Sequence, residues 1–282
     1  MASSVFSYKA VNSDGFQQSL KSALAKPLME VKSLDQFKAV SDLKLEEKQL
    51  NTTRFSFFRH GTSEGKILNL AGGGLDEHKL IDQGKKEIEQ IGREILASHN
   101  TQTSICDAIF TSPAVSAMET AKILADILEV SAIKEDIRLR QKHWGFYHGK
   151  PIDDQYKEGR VQGEKETDLL PTFLDKWNFK FDKENYGEES LLDVFLRMMD
   201  FLLETSQNPD LNGKNVYVIT HTPLLKTLFA SLVAFNEGQD LACHRHDFGN
   251  GASVVVDIPN DRAPFVVSVK GISFRGSIKY QK

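Results

Sequence analysis

Arg54-Phe55-Ser56-Phe57-Phe58-Arg59-His60-Gly61-Thr62 decides how this chain is read. An apolar run ends abruptly in a cation, an imidazole and a glycine. Three Phe within residues 54–58 give the run strand chemistry. A buried strand of a parallel sheet delivers reactive groups from its C-terminal end into a crevice. Gly61 lets the backbone turn tightly there or come close to a ligand. A second stretch far downstream, Val216-Tyr217-Val218-Ile219-Thr220-His221-Thr222-Pro223, has the same design. Two such strands side by side would put His60 and His221 in one pocket with Arg59. Neither stretch suffices alone, because many loops contain Arg-His-Gly and a lone His after a strand is more often structural.

Working outward, residues 81–98 show helical spacing, with Ile88, Ile91 and Ile95 on one stripe. Cys106–Phe110 reads as a short buried strand. Ser112-Pro113 opens the next helix, whose inner face is Ala117, Ala121, Leu124 and Leu128. Residues 133–149 hold a short strand and an aromatic turn, in which His143 and His148 read as packing residues. A helix from about Glu189 to Thr205 is apolar on most sides, with one wet edge of Asp193, Arg197, Asp200 and Glu204. The helix after His221 has Thr222 at its N-cap and Pro223 at its first position, which sets its free N–H groups and positive dipole end beside His221. Residues 252–257 and 265–270 are late strands. This alternation argues for an α/β fold, a three-layer α/β/α sandwich around a mostly parallel sheet.

Composition narrows the class. The 282 residues suffice for a sizeable core, and 40% hydrophobic with 26% charged content is ordinary for a soluble globule. A net charge of −4 gives no basic surface, so nucleic acid is not an expected partner. Two cysteines, Cys106 and Cys243, are too few for a disulfide framework and fit a reducing compartment. No run approaches a membrane span, and the N-terminus lacks a signal peptide's apolar core. A soluble cytoplasmic protein is expected; an exported effector without a cleaved signal would look the same. His244-Arg245-His246 has two-ligand metal spacing but no evident third ligand, so a rim or surface role is expected. Gly72-Gly73-Gly74 is not a nucleotide loop, since no Gly-Lys-Ser/Thr follows.

Taken in order, Arg59-His60-Gly61-Thr62, Leu80-Ile81-Asp82-Gln83-Gly84, Thr111-Ser112-Pro113 with Glu119-Thr120-Ala121, the segment Leu139 to Gly149, Gly187-Glu188-Glu189-Ser190-Leu191 and Thr220-His221 resemble the histidine phosphatase superfamily, phosphoglycerate-mutase-like, branch 1. The likeness runs from about residue 54 to the 250s. It implies an N-terminal extension over 1–50 and a histidine-phosphatase-like domain over 51–282, with a cap insertion at about 150–186. It implies that His60 attacks phosphorus and becomes phosphohistidine, while Arg59 and His221 hold the phosphoryl oxygens and stabilise the in-line transition state. Thr62, Lys66, Gln141, Thr222 and Ser116 are the expected substrate-binding positions. No metal and no cofactor are implied. The expected partner is a phosphorylated small molecule or phosphoprotein, with a protein partner conceivable through 1–50 or 150–186 and no membrane.

Two positions depart from the family pattern. Ser116 stands where a second arginine is usual, and Gln141 stands where a glutamate normally protonates the leaving group. A lost general acid costs ~10²–10⁴ in rate, and a lost charge donor roughly 10²–10³. Such a site would favour substrates whose leaving group departs without a proton, as acyl phosphates, aryl phosphates and phosphohistidine do. Lys66, where the family usually has Asn, is a candidate for the missing charge, with Arg138 and Arg140 as others. Glu64, Glu135 and Asp153 are candidates for a replacement acid. Three readings stay open: a phosphatase with a degenerate site, mutase activity being less expected; a pseudophosphatase that binds phosphate or protein without turnover; and an interaction protein that uses residues 1–50 and 150–186.

Overall fold

Successive residues of a strand face opposite ways, and this chain packs a pair of helices against each side of one sheet. A computed structural model describes residues 52–72, 78–99, 104–153, 157–159, 162, 178–181, 186–206, 208–232, 246–259 and 265–274. The extension 1–50, most of the proposed cap and the His244-Arg245 pair lie outside the described residues.

The elements are β1 (Thr52–Arg59), α1 (Glu64–Ile67), α2 (Asp82–Ser98), β2 (Ala108–Thr111), α3 (Val115–Leu128), β3 (Ile133–Glu135), α4 (Leu191–Ser206), β4 (Asn215–Thr220), α5 (Thr222–Leu232), β5 (His246–Pro259) and β6 (Phe265–Phe274). The six strands lie in the order β3-β2-β4-β1-β5-β6. Pairs β2/β3, β2/β4 and β1/β4 are parallel, while β5 is antiparallel to both β1 and β6. The sheet is mostly parallel, as the alternation of elements predicts.

Phe55 and Phe57 of β1 and Val216 and Val218 of β4 join Val194, Met198 and Phe201 of α4 and Leu224, Leu225 and Leu228 of α5 in one core. Phe58, Tyr217 and Ile219 face the other way, onto Ile88 of α2 and Ala117, Ala121, Leu124 and Leu128 of α3. The predicted inner face of α3 is the buried one.

Three local readings change. The strand expected from Cys106 starts at Ala108, and the Cys106 thiol instead bonds the Ala108 carbonyl. Helix α5 includes Thr222. The His221 carbonyl accepts from the N–H groups of Leu224 and Leu225, which puts His221 at the cap and Thr222 at the first helical position. The stripe on α4 is not uniformly wet, because Arg197 is buried. Its guanidinium donates to both carboxylate oxygens of Glu189 (Nε–Oε1 2.9 Å, Nη2–Oε2 3.1 Å) and to the carbonyl oxygens of Arg138 and Gln141. Glu189 also accepts from Arg140 at 2.6 Å and from the His143 N–H. Burial alone would raise the Glu189 pKa, but Arg197, Arg140 and the His143 N–H together outweigh it and hold the carboxyl below its usual range.

Candidate active site

Arg59 pairs with Thr220 in the parallel register of β1 and β4. The next residue of each strand is therefore a histidine at the same end of the sheet. The His60 N–H bonds the Thr220 carbonyl at 3.1 Å. The two imidazole rings meet edge to face with centroids 5.0 Å apart. The pairing predicted from two similar strand ends is the observed one.

The His60 ring is oriented by its own chain. Nδ1 lies 2.8 Å from the Gly61 carbonyl oxygen. A carbonyl can only accept, so Nδ1 carries the proton and Nε2 the lone pair. Burial and then Arg59 lower the His60 pKa to about 4; the Gly61 carbonyl opposes them, and Lys66 adds the weakest lowering. His221 is held well below the ordinary histidine range by burial, then His60, Arg197 and Arg59. Its Nε2 lies 2.9 Å from the Ser112 hydroxyl oxygen. Both rings are neutral near pH 7, so one can act as a nucleophile while Arg59 supplies fixed positive charge.

The loop after β1 is clamped from three sides. The Gly61 N–H donates to Thr120 Oγ1 of α3 at 3.2 Å, and that hydroxyl donates to the Ser116 carbonyl at 2.8 Å. The start of α2 presses against the loop so closely that a Cβ at Gly61 would lie 2.7 Å from the Gly84 carbonyl oxygen. Glu87 of α2 accepts from the Thr62 hydroxyl at 2.8 Å and from its N–H at 3.3 Å. Asn250 of β5 donates to the same hydroxyl at 2.5 Å, and the Phe248 carbonyl takes Arg59 Nη1 at 2.5 Å.

The other expected positions are placed as follows. Gln141 lies between Arg140, paired with Glu189, and Lys142, whose buried ammonium is 2.8 Å from Glu188 Oε1 and 3.9 Å from the Trp144 ring centre. The Gln141 side chain rests on Gly72, where a Cβ would come within 1.9 Å of Nε2. Ser116 is buried in α3 and Thr222 is partly buried at the start of α5. Lys66 is exposed on α1, yet its charge reaches His60. Arg138 is committed to Asp136, Asp200 and Glu204, at 2.6–3.1 Å, and Arg140 to Glu189, which removes both as free pocket cations. Glu64, Glu135 and Asp153 are exposed. His143 and His148 stack with centroids 4.0 Å apart. Glu87 and Asn250 carried no sequence signal, since each acts on Thr62 across at least 25 residues of chain; Thr120 stands in the matched Glu119-Thr120-Ala121 segment, but its bond to Gly61 was not legible there.

The sequence matches the family described as the histidine phosphatase superfamily (branch 1) over residues 55–269. Among curated relatives, the 2,3-bisphosphoglycerate-dependent phosphoglycerate mutase of Nocardia farcinica is 32% identical over 189 residues, 62% of this chain and 75% of that protein. The enzyme of the same name from an Arthrobacter species is 28% identical and spans 76% of this chain and 89% of its own. Among solved structures, phosphoglycerate mutase from Bacillus anthracis superposes with a TM-score of 0.62 at 19% identity, covering 79% of this chain and 95% of its own. A mycobacterial glucosyl-3-phosphoglycerate phosphatase superposes with a TM-score of 0.53 at 21% identity, covering 73% and 90%. The structural likenesses speak for the fold. Among the described residues no helix is long and apolar enough to cross a membrane.

Proposed function

The chain belongs to the histidine phosphatase superfamily, branch 1, and from that membership we propose that it hydrolyses phosphate compounds through a phosphohistidine on His60. His60 Nε2 attacks phosphorus in line, and the leaving-group oxygen departs with the P–O bonding electrons. Water then attacks phosphorus, the P–N bond breaks, and Nε2 recovers its lone pair. Arg59 and His221 hold the phosphoryl oxygens, and Lys66 supplies part of the charge that an arginine at position 116 would bring. This reading rests on His60, whose Nδ1 is tied to the Gly61 carbonyl so that Nε2 is unprotonated beside His221.

The substrate class follows from Gln141. An amide cannot hand over a proton, so phosphates with good leaving groups are favoured, whether on a small molecule or on a protein side chain. The curated relatives carry the mutase name, but a mutase must keep hold of a bisphosphate intermediate, and Ser116 leaves this pocket short of a cation. Ser116 and Gln141 also support a second reading, a phosphate-binding module without turnover.

Turnover of p-nitrophenyl phosphate by the wild type and by His60→Ala separates the two, because that leaving group needs no acid. Turnover that vanishes in His60→Ala supports the phosphatase. A folded wild type no faster than the variant supports the binding module. As a second arm, Gln141→Glu is expected to raise turnover of a simple alkyl phosphate by ~10²–10⁴ and to leave the aryl substrate nearly unchanged.

A further inference from the structure

We propose that Asn250 is a positioning residue for the nucleophile, acting through the Thr62 hydroxyl. The inference rests on the reading of His60 as nucleophile and adds a residue from the far end of the chain to its support. Asn250 Nδ2 donates to Thr62 Oγ1, and that hydroxyl donates to Glu87 Oε2 at 2.8 Å. A hydroxyl has one proton to give and lone pairs to receive, so the relay has a fixed direction, from β5 through the loop to α2. Thr62 is two residues beyond His60, and Gly61 between them has no side chain to hold the loop. Removing the β5 donor leaves that side of the loop without its tether.

The backbone of β5 is shaped for this reach. Its pairing with β6 is interrupted between Phe248 and Ser253. Gly251 takes a positive φ of 68°, a conformation other residues rarely adopt. An interruption of this kind redirects side chains out of the ladder. Here Phe248 turns its carbonyl to Arg59 and Asn250 turns its amide to Thr62. One short segment thus braces both the phosphate-holding cation and the nucleophile's loop. The split predicts two separable effects, since the Arg59 contact uses a backbone carbonyl that a side-chain substitution leaves in place.

The test compares wild type, Asn250→Ala, Thr62→Val and the double variant, each as the full chain. In p-nitrophenyl phosphate turnover, Asn250→Ala is expected to lower kcat about tenfold with KM changed less than twofold. In the Thr62→Val background the same change is expected to have little further effect, which is the signature of one shared path. A second readout needs no turnover: the NMR titration of the His60 ring. In wild type its midpoint is expected near 4, lowered by burial first, then by Arg59 and, least, by Lys66. In Asn250→Ala it is expected to move toward 6.5 as the loosened ring gains water. A shifted titration in a protein without turnover keeps the positioning role and removes the catalytic reading. Unchanged titration and kcat in Asn250→Ala, or equal effects of that substitution with and without the Thr62 hydroxyl, would overturn the proposal.

Discussion

His60 and Lys66 show how position alters what a charged or titratable group can do. His60 is neutral because charging it beside Arg59 in a buried site is costly. Lys66 is exposed, so it keeps its hydration, but it contributes to the same field. If it closes on a bound phosphoryl group it adds a charge-assisted hydrogen bond, ~1.5–3 kcal/mol. Lys66→Ala is then expected to weaken inorganic phosphate binding roughly tenfold to a hundredfold by calorimetry, and unchanged affinity would remove Lys66 from the site. At this scale the strand-end residues Arg59, His60 and His221 were legible because an apolar run that stops at a polar group is a local pattern. Asn250 and Glu87 were not, because a relay through one hydroxyl depends on where side chains from distant segments meet.

At the scale of elements, α4 shows what periodicity leaves out. Spacing tells which residues share a stripe, and Asp193, Arg197, Asp200 and Glu204 do. It does not tell what the stripe meets. Asp200 and Glu204 take Arg138 at the surface, whereas Arg197 is buried on Glu189 and on the carbonyls that lead into Gln141. Removing one member of a buried pair strands the other's charge, at a cost of ~3–5 kcal/mol. Arg197→Ala is expected to lose stability on that scale in denaturant unfolding, while Arg197→Met with Glu189→Leu loses much less; equal losses would show that the ion pair is not the cause. The pH sign is fixed by the same groups. Glu189 and the two site histidines all have folded-state pKa values below their unfolded ones. The unfolded chain therefore takes up more protons as pH falls. Stability is expected to decline from about pH 6.5 toward 4 as the histidine linkage acts, and further once Glu189 titrates. Melting temperatures across that range check it.

For the molecule as a whole, the sheet order brings the two histidine strands together, although 160 residues separate Phe57 and Val218 or His60 and His221 by sequence number. Parallel neighbours end at the same edge, which is why a fold read from alternating strands and helices also brings His60 and His221 together at one candidate site. The two-sided core of Phe, Val and Leu holds those strands rigid, and β5, the antiparallel member, returns to brace the loop between β1 and α2. What composition and period could not convey was this return, because it depends on a break in the β5/β6 ladder rather than on the pattern of apolar residues. Chemistry at His60 is the claim on which the rest depends. The most direct measurement is mass spectrometry of the protein quenched in alkali during turnover of p-nitrophenyl phosphate. A phosphoryl group on the peptide that contains His60, absent from His60→Ala, is the predicted result. Turnover with the phosphoryl group on another residue, or with none on His60 under conditions that preserve phosphohistidine, would contradict it.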